Sequence, residues 1–261
     1  MKSLGTFPFG QPIHPVLQKD RSSKKVFVLG VYASAVHAKW LDPDGKIKIR
    51  ALAVASEPEI FWRGQGVDKI IAGIDVPAEA GRLVPADAKL NGPSGVALDE
   101  RFLAPLGLTR KDAWLCDLVP HSCRNERQQA AVKDRYMPLV RRRLAPKPDW
   151  PAVPKVLADA KRVREIEDEL VASKAGVLIT LGDQPLRWFA RHYGAKARLA
   201  TYGTERTEYG RLHPIEVRGR EIMLLPLVHP RQAAALGAHS ERWRALHEVW
   251  ARGRAKKVLQ G

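Results

Sequence analysis

The fold of this chain is decided by a short apolar run, Val26-Phe27-Val28-Leu29-Gly30, which a glycine closes. A strand inside a parallel sheet is buried on both faces, so its sequence is a continuous apolar run rather than an alternation. Runs of the same kind recur at residues 113–119, 177–182 and 221–228. These four runs predict four buried strands of one sheet.

Helical patterns separate the strands. The spacing of apolar residues predicts helices over residues 98–108, 125–144, 156–173 and 185–192, and a last helix that Ser240 caps. Alternation of strands with helices is typical of an α/β fold whose sheet is covered by helices on both faces. We therefore predict a central, mostly parallel four-stranded sheet flanked by helices on both faces.

The remaining segments set the domain organisation. Residues 1–24 contain several prolines and glycines, which predicts an N-terminal arm, and residues 25–261 form a single α/β domain in this interpretation. The turn sequence Asp42-Pro43-Asp44-Gly45 lies between two possible strands, residues 36–41 and 46–53, and so predicts a β-hairpin. Residues 64–93 are rich in glycine, proline and aspartate, which predicts long loops around a short helix.

The composition is that of a globular, strongly basic protein. The 261 residues include 44 lysines and arginines against 28 acidic residues, a formal net charge of +16. An excess of this size attracts polyanions, of which phosphate backbones are the commonest in a cell, so we expect DNA, single- or double-stranded, as a partner. The alternative is a basic surface that only keeps the protein soluble.

Two cysteines, Cys116 and Cys123, are too few for the four thiolates that an iron–sulfur cluster usually needs. No metal-binding spacing or phosphate-binding glycine motif occurs, so we expect no metal and no cofactor. The N-terminus has no signal-peptide pattern, and no apolar run reaches the roughly 20 residues of a membrane span. We therefore expect a cytoplasmic protein without a membrane partner.

Polar residues converge at one edge of the predicted sheet. In an open parallel sheet the ligand binds at the carboxyl ends of the strands. Those ends are Gly30–Ser34, Asp117–His121, Gly182-Asp183 and His229-Pro230-Arg231, and three of the four carry polar groups. Their convergence predicts a ligand site at this edge, although Asp183 has the position of a helix cap.

Several segments, in this order, resemble the uracil-DNA glycosylase superfamily, most closely its thermophilic-type branch. They are GVYA at 30–33, GPSGVALD at 92–99, LGL at 106–108, WLCDLV at 114–119, RNER at 124–127, LGDQ at 181–184 and LVHP at 227–230. The resemblance spans about residues 25–250, but the chain lacks the iron–sulfur cysteines of that branch, and its first active-site motif is degenerate.

The resemblance implies base flipping: the target nucleotide leaves the helix and its base is read in a pocket. In the family, an acid or amide after the first strand acts on the attacking water, an aromatic ring stacks on the base, an asparagine recognises uracil, and a histidine stabilises the departing base. Carried over, these roles fall on Tyr32, Leu90, Asp117 and His229, of which only His229 matches.

The departures change the chemistry that we expect. A tyrosine is protonated at neutral pH, so Tyr32 is a poor general base, although it can orient a water. An ionised Asp117 only accepts hydrogen bonds, which predicts a base that carries an amino group. The other interpretation of Asp117 is a sheet-end aspartate that caps a turn, and that of His229 is a structural residue before a proline.

Further residues complete the predicted site. His121 is a second candidate for proton transfer, and the base pocket is expected to include Gly30, Val31 and Asn91 beside Leu90 and Asp117. Three arginines are candidates for contacts with the DNA backbone: Arg124, Arg127 and Arg231. For Arg124 and Arg127 a solvated helix face is the alternative.

Two functions remain open from the sequence. The first is a DNA-base glycosylase of altered specificity, a DNA-repair hydrolase that cleaves the N-glycosidic bond of a flipped base. The second is a glycosylase-like protein that has lost catalysis and binds DNA or a damaged base, within a larger repair assembly. The missing acid of the first loop favours binding, whereas the intact loop at His229 favours catalysis.

Overall fold

The structure, a computed structural model, describes residues 3–235 and 241–259. Eight strands occur among them: β1 Val26–Tyr32, β2 Ala35–Leu41, β3 Ile47–Ser56, β4 Arg82–Pro85, β5 Ala113–Val119, β6 Val177–Leu181, β7 His213–Val217 and β8 Arg220–Leu227.

The α-helices of the described residues are α1 Val67–Ala72, α2 Pro93–Ala97, α3 Glu126–Ala131, α4 Met137–Arg141, α5 Ala160–Ser173, α6 Asp183–Trp188, α7 Pro230–Ala233, α8 Glu241–Gly253 and α9 Ala255–Val258. Two π-helical turns, Leu98–Leu103 and Val132–Tyr136, continue α2 and α3. The cap predicted at Ser240 lies outside the described residues.

The chain forms two compact units. Unit 1 consists of residues 1–16, 32–93 and 120–155, and unit 2 of residues 17–31, 94–119 and 156–261.

Unit 2 contains a mostly parallel five-stranded sheet in the order β5-β1-β6-β8-β7, which confirms the α/β class. β1 runs parallel to β6, with Val26 opposite Val177, and β6 runs parallel to β8. All seven residues of β5 are buried, and so are the first five of β1. The continuous apolar runs therefore identified four of the five strands correctly: β1, β5, β6 and β8.

The predicted number of four strands is wrong, because β7 pairs antiparallel with β8 and adds a fifth strand at the edge of the sheet. β7 alternates buried and exposed residues and is only five residues long. A short, half-buried edge strand has no continuous apolar run, which is why the pattern used for the inner strands missed it.

Helix boundaries in unit 2 also differ from expectation. α5 begins at Ala160 instead of residue 156, because the side chain of Asp159 accepts a hydrogen bond from the backbone N–H of Arg162 at 2.8 Å and caps the helix there. Val156, the first residue of the predicted helix, is 51% exposed.

Unit 1 contains a three-stranded antiparallel sheet in the order β3-β2-β4. The predicted hairpin is confirmed: β2 and β3 pair, and Asp42 accepts hydrogen bonds at the turn from the backbone N–H groups of Gly45 and Lys46. Gly45 has a φ of +81°, which a residue with a side chain rarely adopts. Strand β4 lies inside residues 64–93, where we expected only loops and a short helix.

The core of unit 1 includes part of the predicted N-terminal arm. The side chains of Phe7 and Phe9 are buried, and the ring of Phe9 lies 5.0 Å from Tyr136 and 5.8 Å from Trp40. The backbone N–H of Phe9 donates to the Tyr136 hydroxyl at 2.7 Å. These residues of the arm are therefore anchored by aromatic packing and by a buried hydrogen bond.

Both cysteines are free and buried. No helix of the described residues is both long and apolar enough to cross a membrane.

Candidate functional site

The candidate site is a cavity of about 570 Å³ in unit 2, at the carboxyl ends of β1, β6 and β8. In parallel sheets, ligands bind at this edge, in the crevice outside the carboxyl ends of the strands. Its walls combine apolar, amide, imidazole and charged side chains with one indole: Val31, Leu181, Gly182, Asp183, Gln184, Arg187, Arg198, Leu199, Ala200, His229, Gln232 and Trp243.

His229 occupies the wall where β8 ends. Its Nδ1 accepts a hydrogen bond from the backbone N–H of Arg231 at 3.2 Å. Burial, with a smaller effect of the Arg231 charge, lowers the pKa of His229 to about 4, so the ring is neutral at pH 7. Because Nδ1 accepts, the single proton of the neutral ring resides on Nε2. His229 therefore offers an N–H donor that is ready before any ligand binds.

Gly182 lets the end of β6 approach this histidine. It has a φ of +85°, and a Cβ at this position would lie 3.3 Å from the Cβ of His229. Its N–H donates to the carbonyl of Leu227 at 2.7 Å, which extends the pairing of the two strands into the loops. The glycine is thus required by both its backbone conformation and its close neighbour.

Two glutamines of the wall have amide NH₂ groups that are available as hydrogen-bond donors. The Gln184 Oε1 accepts from the indole N–H of Trp188 at 3.1 Å, and the Gln232 Oε1 accepts from the backbone N–H of His229 at 3.2 Å. Both partners are donors only, so each glutamine must turn its oxygen toward them. The NH₂ groups make no hydrogen bond within the described residues, and they add to the donors of the cavity.

Asp183 fixes the loop of the cavity wall that contains Leu199. Its Oδ1 accepts from the backbone N–H of Leu199 at 2.7 Å, across sixteen residues of sequence. We expected Asp183 to cap the following helix, but it is the first residue of α6, and Gly182 has the cap position. The carboxylate therefore fixes the segment that carries Arg198.

The cavity carries two exposed arginines, Arg187 from α6 and Arg198 from the loop. Neither makes an ion pair within the described residues. Unpaired guanidinium groups bind phosphate and carboxylate oxygens.

A buried hydrogen-bond network supports the end of β8. The backbone N–H of Val228 donates to the Tyr209 hydroxyl at 3.0 Å, and this hydroxyl lies 2.8 Å from Nδ1 of His247. The His247 Nε2 lies 2.8 Å from the carbonyl of Arg101 and must carry the proton, so the Tyr209 hydroxyl donates to Nδ1. The network holds the residue directly before His229.

Asp117 is not among the described residues that line this cavity. Its side chain is 4% exposed at the end of β5, and burial raises its pKa to about 7, partly offset by the positive charge of Arg162. A carboxyl group with this pKa is about half protonated at neutral pH, and the protonated form both donates and accepts. Asp117 is therefore not the fully ionised, acceptor-only group that we expected.

Other predicted site residues belong to unit 1. Tyr32 is 43% exposed at the end of β1, and Leu90 is half-buried. The Asn91 amide is occupied by backbone: Oδ1 accepts from the N–H of His37 at 2.8 Å and Nδ2 donates to its carbonyl at 2.9 Å. His121 is half-buried, with Nδ1 3.2 Å from the Ser122 carbonyl.

The predicted backbone-contacting arginines have different surroundings. Arg127 is exposed on α3, whereas Arg124 is partly buried with its backbone tied to Pro151 and its Nε unpaired within the described residues. Arg231 follows His229 and is exposed.

Of the predicted residues, the cavity brings together Val31, Gly182, Asp183 and His229, while Gly30 is buried within β1. Sequence reasoning missed Gln184, Arg187, Arg198, Gln232 and Trp243. One signal was available: Gln232 follows His229 by three residues, the spacing of a capping box, which the structure contains.

No family model matches this chain, and no curated protein matches it.

Proposed function

We propose that this chain is a DNA-base glycosylase of altered specificity, which hydrolyses the N-glycosidic bond of a base flipped out of DNA. The observation that carries the proposal is His229: a neutral imidazole whose Nε2 holds the proton, in the wall of a cavity at the ligand-binding edge of a parallel sheet. In glycosidic bond cleavage the base leaves with the electron pair of the broken bond. A prepositioned N–H donor stabilises that charge as it develops.

The donors of the cavity favour a base that carries carbonyl oxygens. The Nε2–H of His229 and the NH₂ groups of Gln184 and Gln232 are all donors. Uracil, hypoxanthine and xanthine present such acceptors. The amino-bearing base that we expected from an ionised Asp117 loses its support, because a half-protonated Asp117 does not discriminate against a carbonyl.

The charges support a nucleotide as the bound unit. Arg187 and Arg198 can contact phosphates on either side of a flipped nucleotide, and Trp243 contributes an aromatic ring to the wall. Stacking of a base on an aromatic side chain contributes about 1–3 kcal/mol in nucleic-acid sites. The net charge of +16 attracts the DNA that carries the nucleotide.

The second candidate function is recognition without catalysis. The observation that favours it is Tyr32, which stands where the family has its water-activating acid or amide and which is 43% exposed. A protein of this kind binds DNA or a damaged base and leaves the glycosidic bond intact, within a repair assembly.

Single-turnover excision separates the two functions. Labelled single- and double-stranded oligonucleotides carry uracil, hypoxanthine, xanthine or a modified cytosine. The decisive variant is His229→Asn, because an asparagine at this helix start still accepts from the backbone N–H yet lacks the Nε2–H donor. The matched control is His192→Asn, at an exposed histidine outside the described cavity wall.

We expect excision of at least one carbonyl-bearing base, a loss of about 10²–10⁴-fold in His229→Asn, and no change in His192→Asn. Tight, salt-dependent binding without excision of any base would instead establish the recognition function. Equal rates for His229→Asn and the wild type would show that this histidine has no part in the reaction.

A further inference from the structure

The reaction proposed above needs a negative charge beside the sugar, because the C1′ carbon becomes positive as the base departs. The family places that role after the first strand, where this chain has Tyr32. A tyrosine hydroxyl is protonated at neutral pH and supplies no such charge. Another group must therefore supply it if the reaction occurs.

Asp183 is the one carboxylate among the described residues that line the cavity of His229. Its side chain is exposed, so water and a sugar can reach it. One oxygen, Oδ1, is fixed by the N–H of Leu199 at 2.7 Å, and this bond orients the group. Asp183 makes no ion pair within the described residues, so no basic side chain neutralises its charge there.

We infer that Asp183 is the catalytic carboxylate of this cavity, and that it takes the place of the acid missing from the first loop. This inference rests on the proposed glycosylase function. It assigns the two halves of the reaction to two loops of unit 2: His229 after β8 acts on the leaving base, and Asp183 after β6 acts on the sugar and the water.

The step balances with water as the only co-reactant. The bond between C1′ and the base nitrogen breaks, and its electron pair leaves with the base. The departing base accepts a hydrogen bond from Nε2–H of His229. A water oxygen bonds to C1′, and the proton that it loses passes to the carboxylate of Asp183. This proton then passes from Asp183 through solvent water to the base anion, so the products are the neutral free base and an abasic sugar with a hydroxyl on C1′, and both side chains return to their starting forms.

The arginines of the cavity fit the same assignment. Arg187 lies four residues after Asp183 on α6, and Arg198 directly precedes Leu199, whose N–H holds the carboxylate. Phosphates held by these two side chains would place the connecting sugar beside Asp183.

The test is Asp183→Asn, measured by single-turnover excision of a base that the wild type removes. An asparagine keeps the Oδ1 acceptor for the Leu199 N–H and removes only the charge, so the loop is retained. The matched control is Asp159→Asn, because Asp159 also accepts a backbone N–H, at 2.8 Å, and lies outside the described cavity wall.

We expect Asp183→Asn to lower the excision rate by about 10²–10⁴-fold. Its affinity for an oligonucleotide with a non-cleavable base analogue should be retained, because the arginines remain. Asp183→Glu, which restores the carboxylate, should recover part of the rate. Asp159→Asn should react like the wild type.

Other results refute the inference in distinguishable ways. If Asp183→Asn keeps the wild-type rate while His229→Asn loses it, the glycosylase function stands and the role of Asp183 is wrong. The same conclusion follows if Glu57→Gln, at a buried carboxylate that holds the Ser34 N–H, abolishes excision and Asp183→Asn does not. If the wild type excises no base, the proposed function itself fails, and the role of Asp183 fails with it.

Discussion

Replacing Tyr209 by phenylalanine removes one oxygen atom from a fully enclosed network. The Tyr209 side chain is 1% exposed, Val228 is 0% exposed and His247 is 1% exposed. The hydroxyl accepts from the Val228 N–H at 3.0 Å and donates to Nδ1 of His247 at 2.8 Å. In Tyr209→Phe both of these partners lose their hydrogen bond in a place that water does not reach.

The expected cost follows from these two groups. A buried donor or acceptor that is left unsatisfied costs about 1–3 kcal/mol, so two such groups cost about 2–6 kcal/mol. The aromatic ring stays, and with it the contacts to Trp243 and Trp250, so no large cavity adds to the loss. A loss of this size is a large part of the roughly 5–15 kcal/mol that stabilises a typical domain.

Urea unfolding measures the effect, followed by tryptophan fluorescence, with stability taken from the midpoint at constant slope. The control is Tyr32→Phe, because Tyr32 is 43% exposed and its hydroxyl has no partner within the described residues. We expect the control to change stability by less than about 0.5 kcal/mol. A Tyr209→Phe protein as stable as the control would refute the network, and a changed slope would mean that the substitution alters the unfolded or native ensemble instead.

Three further predictions concern Asp117, the two arginines of the cavity, and Gly182. In the wild type, Asp117 should lower the free energy of unfolding by about 2–4 kcal/mol between pH 4 and pH 8, because its pKa is raised to about 7 in the folded state and the stability that this gives is lost as pH rises from about 4 to 7. Asp117→Asn should remove this loss. Urea midpoints across the pH range measure it, and parallel curves for the two proteins would contradict the prediction. Arg187→Ala and Arg198→Ala should each weaken the binding of a single-stranded oligonucleotide and reduce the slope of log affinity against log salt by about 0.7, as expected for one lost phosphate contact. Titrations at several salt concentrations measure this slope, and an unchanged slope would show that the side chain does not contact a phosphate. Gly182→Ala should cost about 1–3 kcal/mol, because alanine disfavours a φ of +85° and its Cβ meets His229 at 3.3 Å; thermal unfolding measures the loss, and a neutral substitution would contradict the strained geometry.

Features that depend on residues close together in the sequence could be predicted from the sequence. Four strands of the sheet in unit 2 were found because a strand that is buried on both faces has a nearly continuous apolar sequence, as in the runs at residues 26–30 and 113–119. The hairpin was found because Asp42 and Gly45 satisfy the turn within five residues. The place of His229 followed from the end of a predicted strand.

The features that depend on distant residues were decided by packing alone. Strand β7 has a weak pattern of its own and becomes a strand through its pairing with β8. Asn91 looked available for a base, but its amide is consumed by the backbone of His37, 54 residues earlier. Asp183 looked like a helix cap, but its donor is the N–H of Leu199, sixteen residues later.

The protonation states of Asp117 and His229 also depend on residues that are distant in the sequence. A carboxyl in β5 has a pKa near 7 because the fold removes it from water, and His229 stays neutral because the fold buries it. Desolvation depends on every element packed around a group, and no short stretch of sequence contains that information. The apolar pattern therefore determines where the strands lie, whereas the tertiary packing decides which polar groups are left to act on a ligand.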